Sequence, residues 1–524
     1  MRSIRVLFLS YGYMPTGRLE PYRERLIQIL AGTNCEVLVI KTNSFFEEYS
    51  HLPRLPHAVP YLVSQIKQFT PDVIVSINRT GLVSEILTAT KDVPILTLFQ
   101  DPHYYASDQL LKFSARDLLC FIFPNPDFYE QELVPFALKR GASSDRLINV
   151  PFALDTFTFH PTGKNRDIEV SFVGSSFGTD FAKLLTGSLP DAAIRNILVQ
   201  TFLAHRNAFI ADVPLALREA GVDLESEEFF RSRLFDPNCR LMLEAIKDGS
   251  LSLQGIFDDQ INAERRIHHL SALTDFDFRM YGLRDDIWIE QMSLVNPKLL
   301  ACYQYRAINE PDELAAIYNR SKIGFNISRI AAADKGFSFR VPEVIACEAL
   351  LVTEHYSIKP LLKTGLSEGK HFISYDSPDN IRRKCYYYLR NESERLEIVA
   401  AARKAINECG PQPTIHGVLG LCLLRAGFQD LASSITSLEK RQLRLTNRVT
   451  MLGDFRGAFL GLEVGEGYPH VVDISIDANV RQLLLEGGAK EAQRPRRCIS
   501  FGSKRLAAIR AKALRALTKL APDK

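Results

Sequence analysis

No apolar stretch of this 524-residue chain approaches the roughly 18 residues that a membrane-spanning helix requires. The sequence is therefore read as one that does not cross a bilayer by helices. Nine cysteines form no CxxC pair and no regular spacing, which argues against a zinc site and a disulfide framework and makes a reducing cytoplasm the expected compartment. The opening residues, MRSIRVLFLSYGYMP, lack the longer apolar core and small-residue cleavage site of a signal peptide and read as a first β-strand. No GxGxxG is present, so a dinucleotide cofactor is not supported and no other cofactor is expected. No DxD-like pair sits at a predicted strand end, so no metal is expected either. Internal repeats and low-complexity runs are also missing.

What is present is an ordinary globular composition, 46% apolar and 24% charged, long enough for about three domains at ~150 residues each. The net charge of +3 conceals an asymmetry, because residues 494–524 hold ten Lys/Arg against one acid, Asp523. Within that tail, Leu506, Ile509, Ala513, Leu517 and Leu520 share one face at ~100° per residue, with Lys504, Arg505, Lys512, Arg515 and Lys519 opposite. This basic amphipathic helix is suited to an anionic membrane surface. Nucleic acid ranks lower, since no aromatic-rich or recognition motif accompanies the charge.

Strand and helix runs alternate from the start. Strands are expected at Ile4–Ser10, Glu36–Lys41, Asp72–Ile77 and Pro94–Phe99, with helices at Leu19–Ala31 and Tyr61–Phe69. Such βαβα succession predicts a doubly wound parallel sheet with ligands outside the carboxyl ends of its strands. A second unit begins near Asp167, where EVSFVGSS is a buried strand running into a turn at Gly174 and Ser175. Residues from about 179 to 272 turn helical and read as an insertion. The strand in DFDFRMYG then restarts the sheet and ends at Gly282, and a helix over Asp379–Glu408 completes it.

The segment from Tyr318 to Glu354 carries the chemistry. A strand over Lys322–Ser328, with apolar Ile323, Phe325 and Ile327 alternating with Gly324 and Asn326, runs into a small-residue loop, Pro342 fits only the first turn of the next helix, and Leu350–Thr353 is the strand that follows. The helix N-terminus would favour an anion, with Lys335, Gly336 and Arg340 adding charge and close backbone approach. Glu343, three residues beyond Arg340, lies on the same helix face and can accept from two vicinal hydroxyls such as those of a ribose. A cation pair for a diphosphate and a carboxylate for a sugar describe a nucleotide-sugar site.

Tyr318, Asn319, Ile323, Asn326, Gly336, Arg340, Glu343, Ala346 and Cys347 together resemble the donor-binding segment of GT-B glycosyltransferases, most closely the group that includes the CgeB-like spore-maturation proteins. The pattern departs at Glu348, where the family usually has Gly for a left-handed helix end. The Glu-x7-Glu motif of many retaining GT-B enzymes is absent, its first acid falling at Lys335. Tyr281-Gly282 followed by Trp288, the only tryptophan, resembles a pair found in the same group, and NVPFALDTFTFHPTG resembles a GT-B interdomain hinge.

The resemblance implies an α/β protein of two Rossmann-like domains facing a cleft. Residues 1–158 would form the acceptor-side domain and 159–415 the nucleotide-sugar domain, followed by an extension over 416–493 and the basic tail over 494–524. It implies metal-independent transfer of a sugar to a glycan, lipid or protein acceptor. Asp101 and His103, straight after the fourth strand, are the candidate bases. Two other functions fit the same fold: a non-catalytic nucleotide-sugar binder or assembly partner, and a nucleotide-sugar 2-epimerase.

Overall fold

Unbroken runs of Val, Ile, Leu and Phe, without polar alternation, dictate strands buried on both faces, and such strands belong in parallel sheets covered by helices. The computed structural model describes residues 3–10, 21–42, 45–46, 59–100, 112–175, 181, 192–208, 212–223, 253–282, 286–306, 308, 310–329, 336–408, 414–438 and 449–452. Its strands are β1 Ile4–Ser10, β2 Cys35–Lys41, β3 Val73–Ile77, β4 Ile95–Phe99, β5 Asp117–Ile122, β6 Leu147–Val150, β7 Ile168–Val173, β8 Phe278–Tyr281, β9 Ser321–Asn326, β10 Leu350–Glu354, β11 Ile373–Tyr375 and β12 Val449–Leu452.

Two wholly parallel sheets result, one ordered β12-β2-β1-β3-β4-β5-β6 and the other β11-β10-β9-β7-β8. The chain is thus α/β with two doubly wound domains, the architecture of the GT-B fold. Residues 415–438 and 449–452 return to the first domain. Helices Ile415–Arg425 and Gln429–Thr436 bury Val418, Leu419, Leu423 and Ile435 against the first sheet's core, and β12 extends that sheet beside β2. Between β7 and β8 the described helices are Ala192–Ala208, Val213–Glu219 and Leu253–Ser271, in the range read as a helical insertion. Trp288 is fully buried in the second domain's core.

The linker between the domains is held from both sides. On the first domain, Arg25 donates to Asp155 and Thr158, each at 2.8 Å. On the second, Asn319 accepts from the Thr162 amide at 2.9 Å and donates to the His160 carbonyl at 3.0 Å. The Asn of the Tyr-Asn pair at 318–319 is therefore a clamp on the linker. The returning chain runs parallel to it, Ile415 donating its amide to the Leu154 carbonyl at 2.8 Å.

The expected single helix over Asp379–Glu408 is two, Pro378–Arg390 and Glu392–Glu408. Asn391 leaves helical geometry at ψ 71, and its side chain donates to the Tyr387 carbonyl at 2.9 Å. Such local Asn bonding competes with helix continuation.

Glu348 takes the left-handed conformation at φ 58. Its amide bonds the Ile345 carbonyl at 2.9 Å and the Ala349 amide bonds the Val344 carbonyl at 3.2 Å, which is a Schellman end with Glu in the position usually held by Gly. An ion pair with Arg403 holds the side chain. Glu348→Gly relieves left-handed backbone strain of about 1–2 kcal/mol, against about 0.4–1 kcal/mol of added unfolded-state entropy and the loss of a partly exposed ion pair of about 0.2–1 kcal/mol. Stability is expected to stay level or rise slightly, whereas Glu348→Val should lower the urea midpoint clearly; equal midpoints for the two variants would refute the strain.

Candidate functional site

The carboxyl ends of both sheets open onto a cleft of ≈ 580 Å³ between the domains. One wall, from the second domain, carries Arg266, Ser328, Arg329, Gly336, Ser338, Arg340 and Glu343; the other carries Tyr22, Arg25, Gln100, Phe123 and Pro124, and the linker from Phe152 to Asp155 forms its floor. Tyr22 stacks on Phe339 with ring centroids 5.8 Å apart, which fixes the entrance to helix Arg340–Ala346 against the first domain. A Cβ on Gly336 would lie 3.4 Å from Pro124 Cδ, so the walls approach closely there.

Helix Arg340–Ala346 sits tightly on β9. A Cβ at Gly324 would meet Val344 Cγ1 at 2.5 Å, so the glycine sets how near the helix lies to the strand end. Arg166 secures the helix's other end by donating to the carbonyls of Cys347 at 2.8 Å and Tyr318 at 3.1 Å.

Positive charge gathers in the cleft. Arg266, on helix Leu253–Ser271, is 3% exposed and donates to the carbonyls of Ser175 and, at 3.0 Å, Ile327, joining the loops after β7 and β9. Burial, together with the nearby Arg340 charge, pulls the Arg266 pKa down to about 9. Arg340 is half-buried and donates to Ser338 Oγ at 3.4 Å; among the described residues no carboxylate forms an ion pair with it. Arg329 pairs with Asp259 on the same inserted helix. Behind them, burial raises the Glu354 carboxyl, but hydrogen bonds and charge from His269 and Arg265 carry it below its ordinary value. Two neighbouring guanidinium groups that repel one another in a partly desolvated cleft make a site for a polyanion.

Glu343 faces the same space, and its carboxylate makes no hydrogen bond or ion pair among the described residues. Burial lifts its pKa to about 7 from 4.5, against the Arg340 charge and with help from Asp155. The folded state thus binds this proton more tightly than the unfolded chain. The resulting stability is complete below about pH 4.5 and is lost as pH rises through about 7. Glu343→Gln is expected to gain stability relative to the parent chain between pH 5 and pH 8 as followed by urea midpoints (, about one unit either side of the transition), and parallel profiles would contradict the assignment.

The structure brings Gly336, Arg340 and Glu343 together on the cleft wall. Gly174, Ser175 and Gly282 lie behind it. A Cβ on Gly282 would come 2.4 Å from the Gly174 carbonyl oxygen, and Ser175 offers its carbonyl to Arg266, so these residues shape the wall from beneath. Asn326 is buried and donates to Thr353 Oγ1 at 3.0 Å and Ser328 Oγ at 3.3 Å; its neighbours Ile327 and Ser328 reach the cleft instead. Asp101, His103 and Lys335 lie outside the described residues. Sequence reasoning missed Arg266 and Arg329. The paired arginines of RRIHHL were visible, but only their position on an amphipathic inserted helix could have suggested that one of them turns inward.

Residues 263–409 match the family model described as glycosyl transferase-like, a range that includes Arg266, Arg329, Arg340, Glu343 and Glu354. The chain therefore carries an enzyme domain of glycosyl transferase-like type. No curated protein matches the chain significantly. Among solved structures, a glycosyltransferase from Rickettsia africae is similar over 84% of this chain and 100% of its own, at 12% identity and a TM-score of 0.44. Anabaena HepE in complex with UDP and glucose is similar over 83% of this chain and 100% of its own, at 10% identity and a TM-score of 0.46. Sucrose-phosphate synthase from Thermosynechococcus elongatus is similar over 82% and 100%, at 11% identity and a TM-score of 0.45. Among the described residues no helix is long and apolar enough to cross a membrane.

Proposed function

We propose that the protein transfers a sugar from a nucleotide-sugar donor to a glycan, lipid or protein acceptor in the cleft between its domains. The observation that supports this most is the convergence of Arg266, Arg329 and Arg340 beside Glu343 within the glycosyl transferase-like range. A diphosphate bridges the arginines, and Glu343 takes the ribose hydroxyls. As the glycosidic bond breaks, charge develops on the leaving diphosphate. Fixed guanidinium groups in a partly desolvated site, with Lys335, stabilise that charge without needing a metal ion. Asp101 or His103, following β4, serves as the base toward the acceptor hydroxyl. The motif residues from Tyr318 to Cys347 favour the CgeB-like group.

Incubation with a panel of nucleotide sugars, UDP-glucose among them, tests the reading. Slow release of free nucleotide diphosphate supports transfer. Tight binding without turnover indicates a binder, and epimer formation a 2-epimerase. No binding of any panel member overturns the nucleotide-sugar assignment.

The basic tail, outside the described residues, is proposed to recruit the enzyme to anionic membrane, with about 1 kcal/mol per Lys or Arg near the surface before screening. Full-length protein should pellet with anionic vesicles at low salt and be released at high salt, while a chain ending at residue 493 stays in the supernatant. Equal pelleting of both would refute the recruitment.

A further inference from the structure

Past β3 the chain takes two consecutive left-handed residues, Asn78 at φ 52 and Arg79 at φ 56, although neither is glycine. Surrounding contacts hold this conformation. The Asn78 amide donates to the Leu98 carbonyl at 2.9 Å, and Asn78 Oδ1 accepts from the Gln100 amide at 2.8 Å. Arg79 is buried in an ion pair with Asp117 at the start of β5, donates to the Lys112 carbonyl at 3.1 Å and lies 4.9 Å from the Phe113 ring centroid. Backbone strain of this kind persists where neighbouring structure over-determines it, and it concentrates at functional sites.

The outcome of this strain is the placement of Gln100. Its backbone is fixed by Asn78, and its side chain lines the cleft on the wall facing the arginines. The Nε2 atom is buried and has no hydrogen-bond partner among the described residues. A buried donor left unsatisfied calls for a partner. The wall that carries Gly336 and Arg340 approaches the first domain closely at Pro124, just past β5, the strand paired with β4 whose end carries Gln100.

We infer that Gln100 is a specificity-determining residue whose carboxamide binds a hydroxyl of the sugar carried by the donor, with Asn78 as its positioning residue. A carboxamide both donates and accepts, which matches a hydroxyl, whereas the guanidinium groups opposite match phosphate. This inference rests on the nucleotide-sugar reading of the cleft. It predicts that Gln100 distinguishes a sugar nucleotide from the bare nucleotide diphosphate.

The test is calorimetric titration of the full chain with matched pairs, UDP against UDP-glucose and GDP against GDP-mannose. Gln100→Met, close in size but without the donor, is the main variant, with Gln100→Ala and Asn78→Ala alongside. The bare diphosphate that binds the parent chain should bind Gln100→Met equally well, which also shows that the variant is folded. The corresponding sugar nucleotide should bind about three- to tenfold more weakly. Asn78→Ala should show the same split in smaller degree. Unchanged sugar-nucleotide affinity in Gln100→Met and Gln100→Ala, with diphosphate binding intact, overturns the inference and leaves the proposed function standing. If neither bare diphosphate nor sugar nucleotide binds the parent chain, the proposed function and this inference fall together.

Discussion

Replacing Arg79 by Met is expected to destabilise the protein by about 3–5 kcal/mol, the cost of leaving one member of a buried ion pair without its partner. Arg79 and Asp117 are each 2% exposed at the side chain. Burial lowers the Arg79 pKa and the Asp117 charge works against that, so the pair stands only as a unit. Removing the guanidinium leaves Asp117 with the Ser114 amide at 2.8 Å and the Ser114 hydroxyl at 2.7 Å, neither of which supplies a positive charge. The turn after β3 also loses its tie to β5. Urea denaturation measures the loss, and a midpoint within error of the parent chain would show that the pair contributes nothing. The double change Arg79→Met, Asp117→Leu should recover part of the stability, because a buried pair replaced on both sides leaves no uncompensated charge.

Arg340→Ala is expected to weaken nucleotide diphosphate binding by about 1.5–3 kcal/mol, the range for a hydrogen bond to a charged group. Folding should be nearly unaffected. Arg340 is half-buried and its guanidinium bonds only Ser338 Oγ among the described residues, and Glu343, losing the Arg340 charge, holds its proton more tightly. Relief of repulsion should also let Arg266 hold its proton more strongly. Arg340→Lys keeps the charge but not the planar fork, so it should restore affinity only in part. Equal affinity in the parent chain and Arg340→Ala would remove Arg340 from the site.

Much of the fold was legible because parallel strands buried on both faces are written as continuous apolar runs. IRVLFLS gave β1 at the residues observed, and SKIGFN and LLVTE gave β9 and β10 to within two residues. The strand DLLCFI is equally apolar but was not predicted, and LINV, which pairs with it, is four residues long and carries little signal by itself. The return of the chain to the first domain was not legible at all. Val449 pairs with Val37 across more than four hundred residues, and no local pattern records such a pairing.

The site divides the same way. Arg340 and Glu343 were found because Pro342 fixes the start of their helix and the spacing sets their common face. Arg266 was not, since its role arises when a helix from the insertion docks across the ends of β7 and β9. Asn326 lies within the strand read from the sequence, and packing turns its side chain toward Thr353, away from the cleft.

The central claim is that the arginine-lined cleft holds a nucleotide diphosphate. Isothermal titration of the full chain and of Arg340→Ala with UDP and GDP at two salt concentrations tests it most directly. Saturable binding of at least one diphosphate is expected, weakened roughly ten- to a hundredfold by Arg340→Ala and reduced by salt. Binding of neither diphosphate to the parent chain, or binding indifferent to Arg340→Ala, would contradict it.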